Sequence, residues 1–251
     1  MKVLVTFAVP AEFAAWRRRN RFRQLARQPF PLYGGAVGES SVRVLLTGMG
    51  SDSASQAIRW ALSTATDLCI STGLAGALHD GMSIGELLAA RVVLRGGSDL
   101  AVASDRSLFS AAGEAGARPV ERFLTGRHLV TKAEHKLALS GKADAVEMES
   151  YPILAEAARH GVRAVCVRAV SDLATSSLPF DFERMLDPFG QIRLRTLLAQ
   201  LALKPQRIPA LARLALDCRH AATQLAEFLD RYLELIEARM DRSASEMVAT
   251  V

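Results

Sequence analysis

Two short segments decide the fold of this chain: Ala145-Val-Glu-Met-Glu-Ser150 and, further along, Val167-Arg-Ala-Val-Ser-Asp172. Each segment carries acidic side chains at the edge of a strand-like apolar run, where a carboxylate is costly to bury without a partner or a function. Ligands of open α/β sheets bind outside the carboxyl ends of the strands. Because both segments lie at such ends, we expect Glu149 and Asp172 to face one crevice, which is the layout of an active site.

Strand-like apolar runs alternate with helical patterns along most of the chain, which predicts a three-layer α/β/α domain with a mixed central sheet. The expected strands are residues 2–8, 42–46, 67–71, 86–94, 143–147 and 163–170. The expected helices are residues 11–28, 53–64, 106–115, 132–140 and 148–160. After Asp187-Pro-Phe-Gly190 the strand-like alternation stops. We therefore expect a catalytic domain over residues 1–188 and a helical C-terminal extension over residues 189–251.

The composition indicates a globular protein with a large core. Half of its 251 residues are apolar, which is enough for one α/β domain. With 31 basic and 26 acidic residues, the net charge of +5 does not require a nucleic-acid partner, and we expect none. The three cysteines are far apart, which predicts neither a disulfide framework nor a metal site. Without a signal-peptide pattern or a run of about 20 apolar residues, a cytoplasmic location is expected.

The two segments quoted above resemble the signature of the nucleoside phosphorylase and nucleosidase superfamily, in particular of the 5′-methylthioadenosine/S-adenosylhomocysteine nucleosidases. The resemblance runs from Met1 to roughly Met185. It includes four further strings in the same order: Phe7-Ala-Val-Pro-Ala-Glu12, Thr47-Gly-Met-Gly50, Ser71-Thr-Gly-Leu-Ala-Gly-Ala-Leu78 and Ile84-Gly-Glu-Leu-Leu88. It implies a phosphorylase-type fold, a homodimer, and cleavage of the N-glycosidic bond of a purine nucleoside.

The helical tail is longer than the closing helix of those nucleosidases, and it resembles the C-terminal extension of the hopanoid-associated phosphorylases. That resemblance implies a 5′-modified adenosyl substrate, with an adenosyl-hopanoid lipid as the first choice. Methylthioadenosine or S-adenosylhomocysteine is the alternative. Base release by hydrolysis and by phosphorolysis both stay open at this stage.

Cleavage of a ribosidic C–N bond requires a proton donor for the departing base. Asp172 matches the general acid of the family, and Ser171 would orient it. Burial raises the pKa of a carboxylic acid, so a buried Asp172 could hold its proton near neutral pH. A helix N-cap is the structural alternative for this Ser-Asp pair. Glu12 matches, by its distance from residue 1, the carboxylate that activates water in the nucleosidases. A solvated glutamate at the start of a helix is the alternative for Glu12.

The resemblance also assigns the sugar contacts. Glu149 would accept hydrogen bonds from the ribose hydroxyls, and Met148 would pack against the sugar. A first-turn glutamate favoured by the helix dipole is the alternative for Glu149. Glu147 either binds the ligand or pairs with a neighbouring arginine. Arg168 lies in a buried strand and therefore needs an acidic partner or an anionic ligand.

A glycine turn before the second helix is a candidate phosphate site. The backbone N–H groups of Gly48, Gly50 and Ser51, together with Arg168, could hold phosphate as a co-substrate. A plain strand-to-helix connection explains the same residues equally well. No metal or redox cofactor is implied.

Two substitutions depart from the family pattern near the ligand. Leu74 stands where the family has a polar residue, and Leu129, followed by Val130, stands where an aromatic residue commonly stacks on adenine. We expect these three residues to line a more apolar binding site. The departures also keep open a non-catalytic nucleoside- or membrane-binding protein of the same fold.

The tail has two parts of different character. Residues 191–220 carry many arginines and lysines between recurring leucines, so they either form a peripheral contact with the inner membrane surface or dock on the domain. Residues 225–240 have balanced charges, which predicts an ordinary solvent-exposed helix.

Overall fold

The computed structural model describes residues 1–178 and 205–249. Its strands are β1 (Lys2–Phe7), β2 (Arg23–Ala26), β3 (Leu32–Val37), β4 (Ser40–Leu46), β5 (Leu68–Ser71), β6 (Leu74–Ala77), β7 (Leu87–Arg95), β8 (Ala101–Ala103), β9 (Arg118–Thr125), β10 (Ala145–Glu147) and β11 (Arg163–Asp172). Its α-helices are α1 (Pro10–Asn20), α2 (Ser51–Ala61), α3 (Arg106–Glu114), α4 (Ala133–Ser140), α5 (Ser150–Arg159) and α6 (Ile208–Ala249).

The strands form one mixed sheet in the order β2-β3-β4-β1-β5-β11-β6-β10-β9-β7-β8. The centre, from β4 through β1 and β5 to β11, is parallel. β11 pairs in addition with β7, in antiparallel fashion, so that β11, β6, β10, β9 and β7 close into a ring. The ring brings the ends of β10 and β11 close to each other and to the loop between β5 and β6.

Helices cover both faces of the sheet, which confirms the three-layer expectation. α1, α3 and α6 bury their apolar sides in one core with the sheet. α2 and α5 bury theirs in a second core on the opposite face. α2 shows the cause: its small and apolar residues recur at helical spacing on one side, and all are buried (Ala54, Ala57, Ile58 and Ala61).

The first expected helix is too long. It ends at Asn20 because Arg21 adopts the left-handed conformation, with φ of 55°, which stops a helix. The residues after it form the edge strand β2, which pairs with β3. β2, β3, β6, β8 and β9 were not expected, since they are short, glycine-containing or rich in polar residues and show no clear apolar run.

The expectation of a solvent-exposed helix at residues 225–240 was wrong. One face of α6 lies in the same core as the sheet, with Leu225, Phe228, Leu229, Tyr232, Leu233 and Ile236 at most 3% exposed. Polar contacts reinforce the packing: Tyr232 donates to the Leu108 carbonyl at 2.7 Å, and the Trp16 indole donates to Asp230 at 2.7 Å. Balanced surface charges concealed this apolar face, because they belong to the opposite side of the helix.

The basic segment at residues 191–220 lies partly outside the described residues. Its described part, from residue 206, is exposed or half-buried along the first turns of α6. None of the described helices is long and apolar enough to cross a membrane. The division at residue 188 also falls outside the described residues and stays a prediction.

Replacing Leu229 by alanine tests the docking of α6. The side chain is fully buried, so the cavity should lower the free energy of unfolding by about 2–5 kcal/mol. Leu216→Ala is the matched control, because Leu216 lies on the same helix and is 65% exposed; its effect should stay within about 0.5 kcal/mol. Urea unfolding measures both variants, and equal effects would contradict a core role for α6.

Candidate active site

The Glu-Met-Glu-Ser string forms the turn from β10 into α5, and Glu147 shapes it. One oxygen of Glu147 accepts hydrogen bonds from the backbone N–H of Glu149 at 2.8 Å and of Ser150 at 2.7 Å. The negative carboxylate therefore caps the helix N-terminus, where the N–H groups lack partners within the helix. Its other oxygen accepts from the Thr125 hydroxyl. Glu147 is thus committed to the protein.

Arg168 is the ionic partner of Glu147. Its guanidinium donates to Glu147 Oε2 at 2.6 Å, to Ser150 Oγ at 2.8 Å and to the Thr72 carbonyl at 2.5 Å. Both charged side chains are at most 1% exposed. Of the two interpretations of Glu147, the structure places it in a pair with an arginine, and the same pair answers the need of Arg168 for an acidic partner.

Glu149 lies beside this pair. Its Oε1 accepts from the Gly50 backbone N–H at 2.8 Å, and its Oε2 lies 3.7 Å from the Arg168 guanidinium. Burial raises the pKa of Glu149 to about 8, a rise that Arg168 opposes and the Glu147 carboxylate increases. Glu149 is therefore an acid that titrates near neutral pH.

Glu12 is also buried and, like Arg168, lies beside Gly73, so the solvated-glutamate alternative is wrong. Its carboxylate accepts from the backbone N–H groups of Ala8 at 2.9 Å and Leu74 at 3.1 Å. Burial raises its pKa, and Arg168 opposes the rise. Gly73, at φ of 141°, makes this approach possible, because a Cβ there would clash with Arg168 and lie 3.1 Å from both Glu12 oxygens.

Asp172 ends β11 at an irregularity in the pairing with β6. Its Oδ1 accepts a hydrogen bond from the Ser171 hydroxyl at 2.7 Å, so Ser171 is positioned to orient Asp172. Gly76 lies opposite, where a Cβ would be 3.0 Å from Oδ2. The helix-cap alternative is wrong, since Asp172 belongs to a strand and residues 173–178 contain no helix.

Sequence reasoning missed Lys136, on α4, whose fully buried ammonium group contacts Asp172 Oδ2. The same group donates to the carbonyls of Leu173 at 2.7 Å and Ser176 at 3.1 Å. Lysine is rarely buried, and α4 has no marked apolar face that would have shown which side turns inward.

Several of the residues expected around the nucleoside line one small pocket. It is lined by Leu129, Val130, Met148, Glu147 and Asp172, together with Gly76, His128, Val146 and Leu178. Leu74 does not line this pocket. Its backbone N–H holds Glu12, and its half-buried side chain packs against the core on the α1 and α6 side of the sheet.

Several donors of the glycine turn have acceptors within the protein. The N–H of Gly48 donates to the Ala8 carbonyl at 3.0 Å, and that of Gly50 donates to Glu149. The Ser51 hydroxyl donates to the Met148 carbonyl at 3.1 Å. The turn thus ties the start of α2 to the Glu-Met-Glu-Ser string. Across residues 1–178 and 205–249, no group of His, Cys, Asp and Glu is arranged to hold a metal ion.

Stability against pH tests the electrostatics of this cluster. Because the pKa of Glu149 is raised in the folded protein, the native state binds more protons than the unfolded chain, and stability falls as pH rises from about 4.5 to about 8. Glu149→Gln removes this term, so its stability relative to the parent should increase across that interval by on the order of 1–3 kcal/mol. Urea unfolding at several pH values measures the difference. Glu121→Gln, at an exposed position, should show no such trend; a flat difference for Glu149→Gln would contradict the raised pKa.

Solved structures of similar fold have this architecture. The 5′-methylthioadenosine/S-adenosylhomocysteine nucleosidase from Neisseria meningitidis, in complex with methylthio-immucillin-A, is 20% identical, with 92% of this chain and 98% of that chain covered and a TM-score of 0.72. Futalosine hydrolase of Helicobacter pylori is 17% identical, with 93% and 97% covered and a TM-score of 0.72. The nucleosidase of S. pneumoniae is 18% identical, with 92% and 99% covered and a TM-score of 0.67. At these identities the likeness establishes the fold.

Sequence comparison supplies the family. No similar sequence was found among curated proteins. The family model described as the phosphorylase superfamily matches residues 2–123 and 119–202, which is most of the chain. The match contains both segments that decide the fold, and the structure gives them the phosphorylase-type architecture expected from the resemblance. The chain belongs to the phosphorylase superfamily.

Proposed function

We propose that this protein hydrolyses the N-glycosidic bond of a purine nucleoside and releases the free base. The observation that carries the proposal is the placement of Asp172 and Met148 in one pocket, with Glu149 adjoining Met148 and sharing Arg168 with Glu12. We assign these residues the roles of a proton donor, a sugar-binding carboxyl group and a base for water. This is the set of groups that glycosidic cleavage of a nucleoside requires.

Asp172 is the group that protonates the base. As the C–N bond breaks, its electrons pass into the purine, and a proton delivered to a ring nitrogen lets the base depart neutral. The Ser171 hydroxyl fixes one oxygen of the carboxyl group. Leu129 and Val130 line the same pocket and would enclose the base with apolar surface.

Glu149 and Met148 hold the ribose. The sugar develops positive charge as the base leaves, and three carboxyl groups, those of Glu12, Glu147 and Glu149, surround the single guanidinium of Arg168. Where Glu12 and Glu149 are ionised, the carboxylates outnumber the guanidinium, and this negative charge favours a cationic transition state because charges act strongly in a low dielectric.

Glu12 is the base that activates water. Its carboxylate is held by backbone N–H groups, which leaves the position of the side chain fixed before substrate arrives. As its pKa is raised by burial, the unprotonated form required of a base becomes available only above the ordinary titration range of a glutamate.

The charges of the site favour water over phosphate as the nucleophile. Arg168 is engaged by Glu147, and the N–H of Gly50 is engaged by Glu149. A phosphate dianion would have to displace these contacts and approach the carboxyl groups that remain. Phosphorolysis, with phosphate at Gly48, Gly50, Ser51 and Arg168, is the alternative. No metal or redox cofactor enters the proposal.

The substrate we propose is an adenosyl nucleoside modified at its 5′ position, with an adenosyl-hopanoid lipid as the specific candidate. Its support is the sequence resemblance of the tail. Methylthioadenosine or S-adenosylhomocysteine is the alternative, supported by the fold shared with nucleosidases that bind such ligands. A homodimer in the cytoplasm, with residues 191–220 against the inner membrane surface or against the domain, stays a prediction.

Replacing Asp172 by asparagine tests the general acid. The amide cannot supply the proton, so kcat for base release should fall by about 10²–10⁴-fold while nucleoside binding largely persists. Free adenine measures turnover, and calorimetry measures binding. Asp99→Asn, at an exposed position, serves as the control. Binding without turnover in the parent protein would instead support the non-catalytic alternative.

Replacing Glu12 by glutamine tests the choice of nucleophile. We expect the parent to release base without phosphate, and Glu12→Gln to lose about 10²-fold or more in kcat. The acid limb of the parent pH–rate profile should lie above the usual pKa of a glutamate, since the folded protein raises the pKa of Glu12. Release that requires phosphate and persists in Glu12→Gln would favour phosphorolysis.

A further inference from the structure

Lys136 is an unusual neighbour for a proton donor. Its side chain is fully buried, and its ammonium group contacts Asp172 Oδ2. A cation in contact with a carboxyl group favours its ionised form, whereas the proposed reaction requires Asp172 to deliver a proton. The general-acid role of Asp172 does not by itself say which group holds the proton before the base departs.

The surroundings of Lys136 make it the holder of that proton. All three N–H groups of an ammonium ion have acceptors here: Asp172 Oδ2 and the carbonyls of Leu173 and Ser176. The two carbonyls belong to the chain directly after β11, so Lys136 also fastens that segment beside Asp172. Ser171 occupies the other oxygen of Asp172. The pair is oriented from both sides.

We propose that Lys136 and Asp172 act as one proton-delivering pair, in which the lysine ammonium supplies the proton that the carboxyl group passes to the leaving base. The Lys136 N–H bond breaks, and its electrons stay on the nitrogen. The purine ring nitrogen gains the proton as the electrons of the C–N bond enter the base. Lys136 ends as a neutral amine, Asp172 as a carboxylate, and the base leaves uncharged. This inference depends on the proposed function, because it concerns the same departing base.

Other titratable groups face the pair and have to be distinguished from it. Two titratable residues of α4 itself, Glu134 and His135, have exposed side chains and are screened by solvent. The remaining ones come from the elements packed around Asp172, namely Glu147 at the end of β10, His128 after β9 and Cys218 on α6. Burial, and next the charge of Asp172, raises the pKa of Cys218 to about 12, so this thiol carries no charge across the pH range of the test.

Lys136→Met tests the pair through the pH dependence of kcat. If the ammonium supplies the proton, its removal leaves Asp172 as the only source, and the alkaline limb should move to lower pH by about one unit or more. A limb that moves to higher pH would overturn the inference, since it would mean that Lys136 acts only as a charge that draws the proton off Asp172. An unmoved limb with a lowered melting temperature would also overturn it, as this marks a structural role.

Two further variants complete the test. Lys136→Arg keeps the positive charge, but a guanidinium does not give up its proton, so kcat should fall by about 10-fold or more with KM little changed. Parent-like kcat in a folded Lys136→Arg protein would overturn the inference. Lys142→Met, at an exposed position just after α4, is the matched control and should leave the profile unchanged. Absence of base release from the parent protein overturns the proposed function and this inference together. If the parent turns over and both Lys136 variants behave like the parent, this inference alone is overturned.

Discussion

The buried ion pair between Arg168 and Glu147 is the interaction on which the rest of the site depends. It joins the middle of β11 to the end of β10, and through Ser150 and the Thr72 carbonyl it also holds the start of α5 and the loop between β5 and β6. A buried pair is not by itself a large source of stability, but loss of one partner leaves an uncompensated charge that costs about 3–5 kcal/mol. The pair therefore fixes one arrangement of four elements.

Glu12 and Glu149 depend on that pair for their own chemistry. Both are buried carboxyl groups, and in each the Arg168 charge opposes the rise in pKa that burial causes. Because Glu147 already occupies Arg168, the guanidinium only partly compensates the other two. Their ionisation gives the site an excess of negative charge, which would suit positive charge on a sugar.

The C-terminal helix belongs to the architecture that holds this site. α6 packs its apolar face on α1, α3 and the sheet, in the core that also contains residues of β11. Cys218, near its start, is close enough to Asp172 for that charge to raise the thiol pKa. The helix therefore supports the strand that presents Asp172, on the face of the sheet opposite to α2 and α5.

The sequence by itself determined the three layers, most of the central strands and the candidate acidic residues. Apolar runs and helical spacing are local properties, and the strings ending in Ser150 and Asp172 are recognisable without coordinates. Only the tertiary structure decided how the charges are shared: that Glu147 caps α5 and binds Arg168, that the glycine turn holds Glu149, and that Lys136 reaches Asp172. Apart from the cap, these contacts join residues far apart in the chain, and their strength comes from burial, which no local pattern reveals. The apolar face of α6 differs from these contacts: Leu225, Leu229 and Ile236 recur at helical spacing, so the sequence contains the pattern, and only the tertiary structure decided which core covers it.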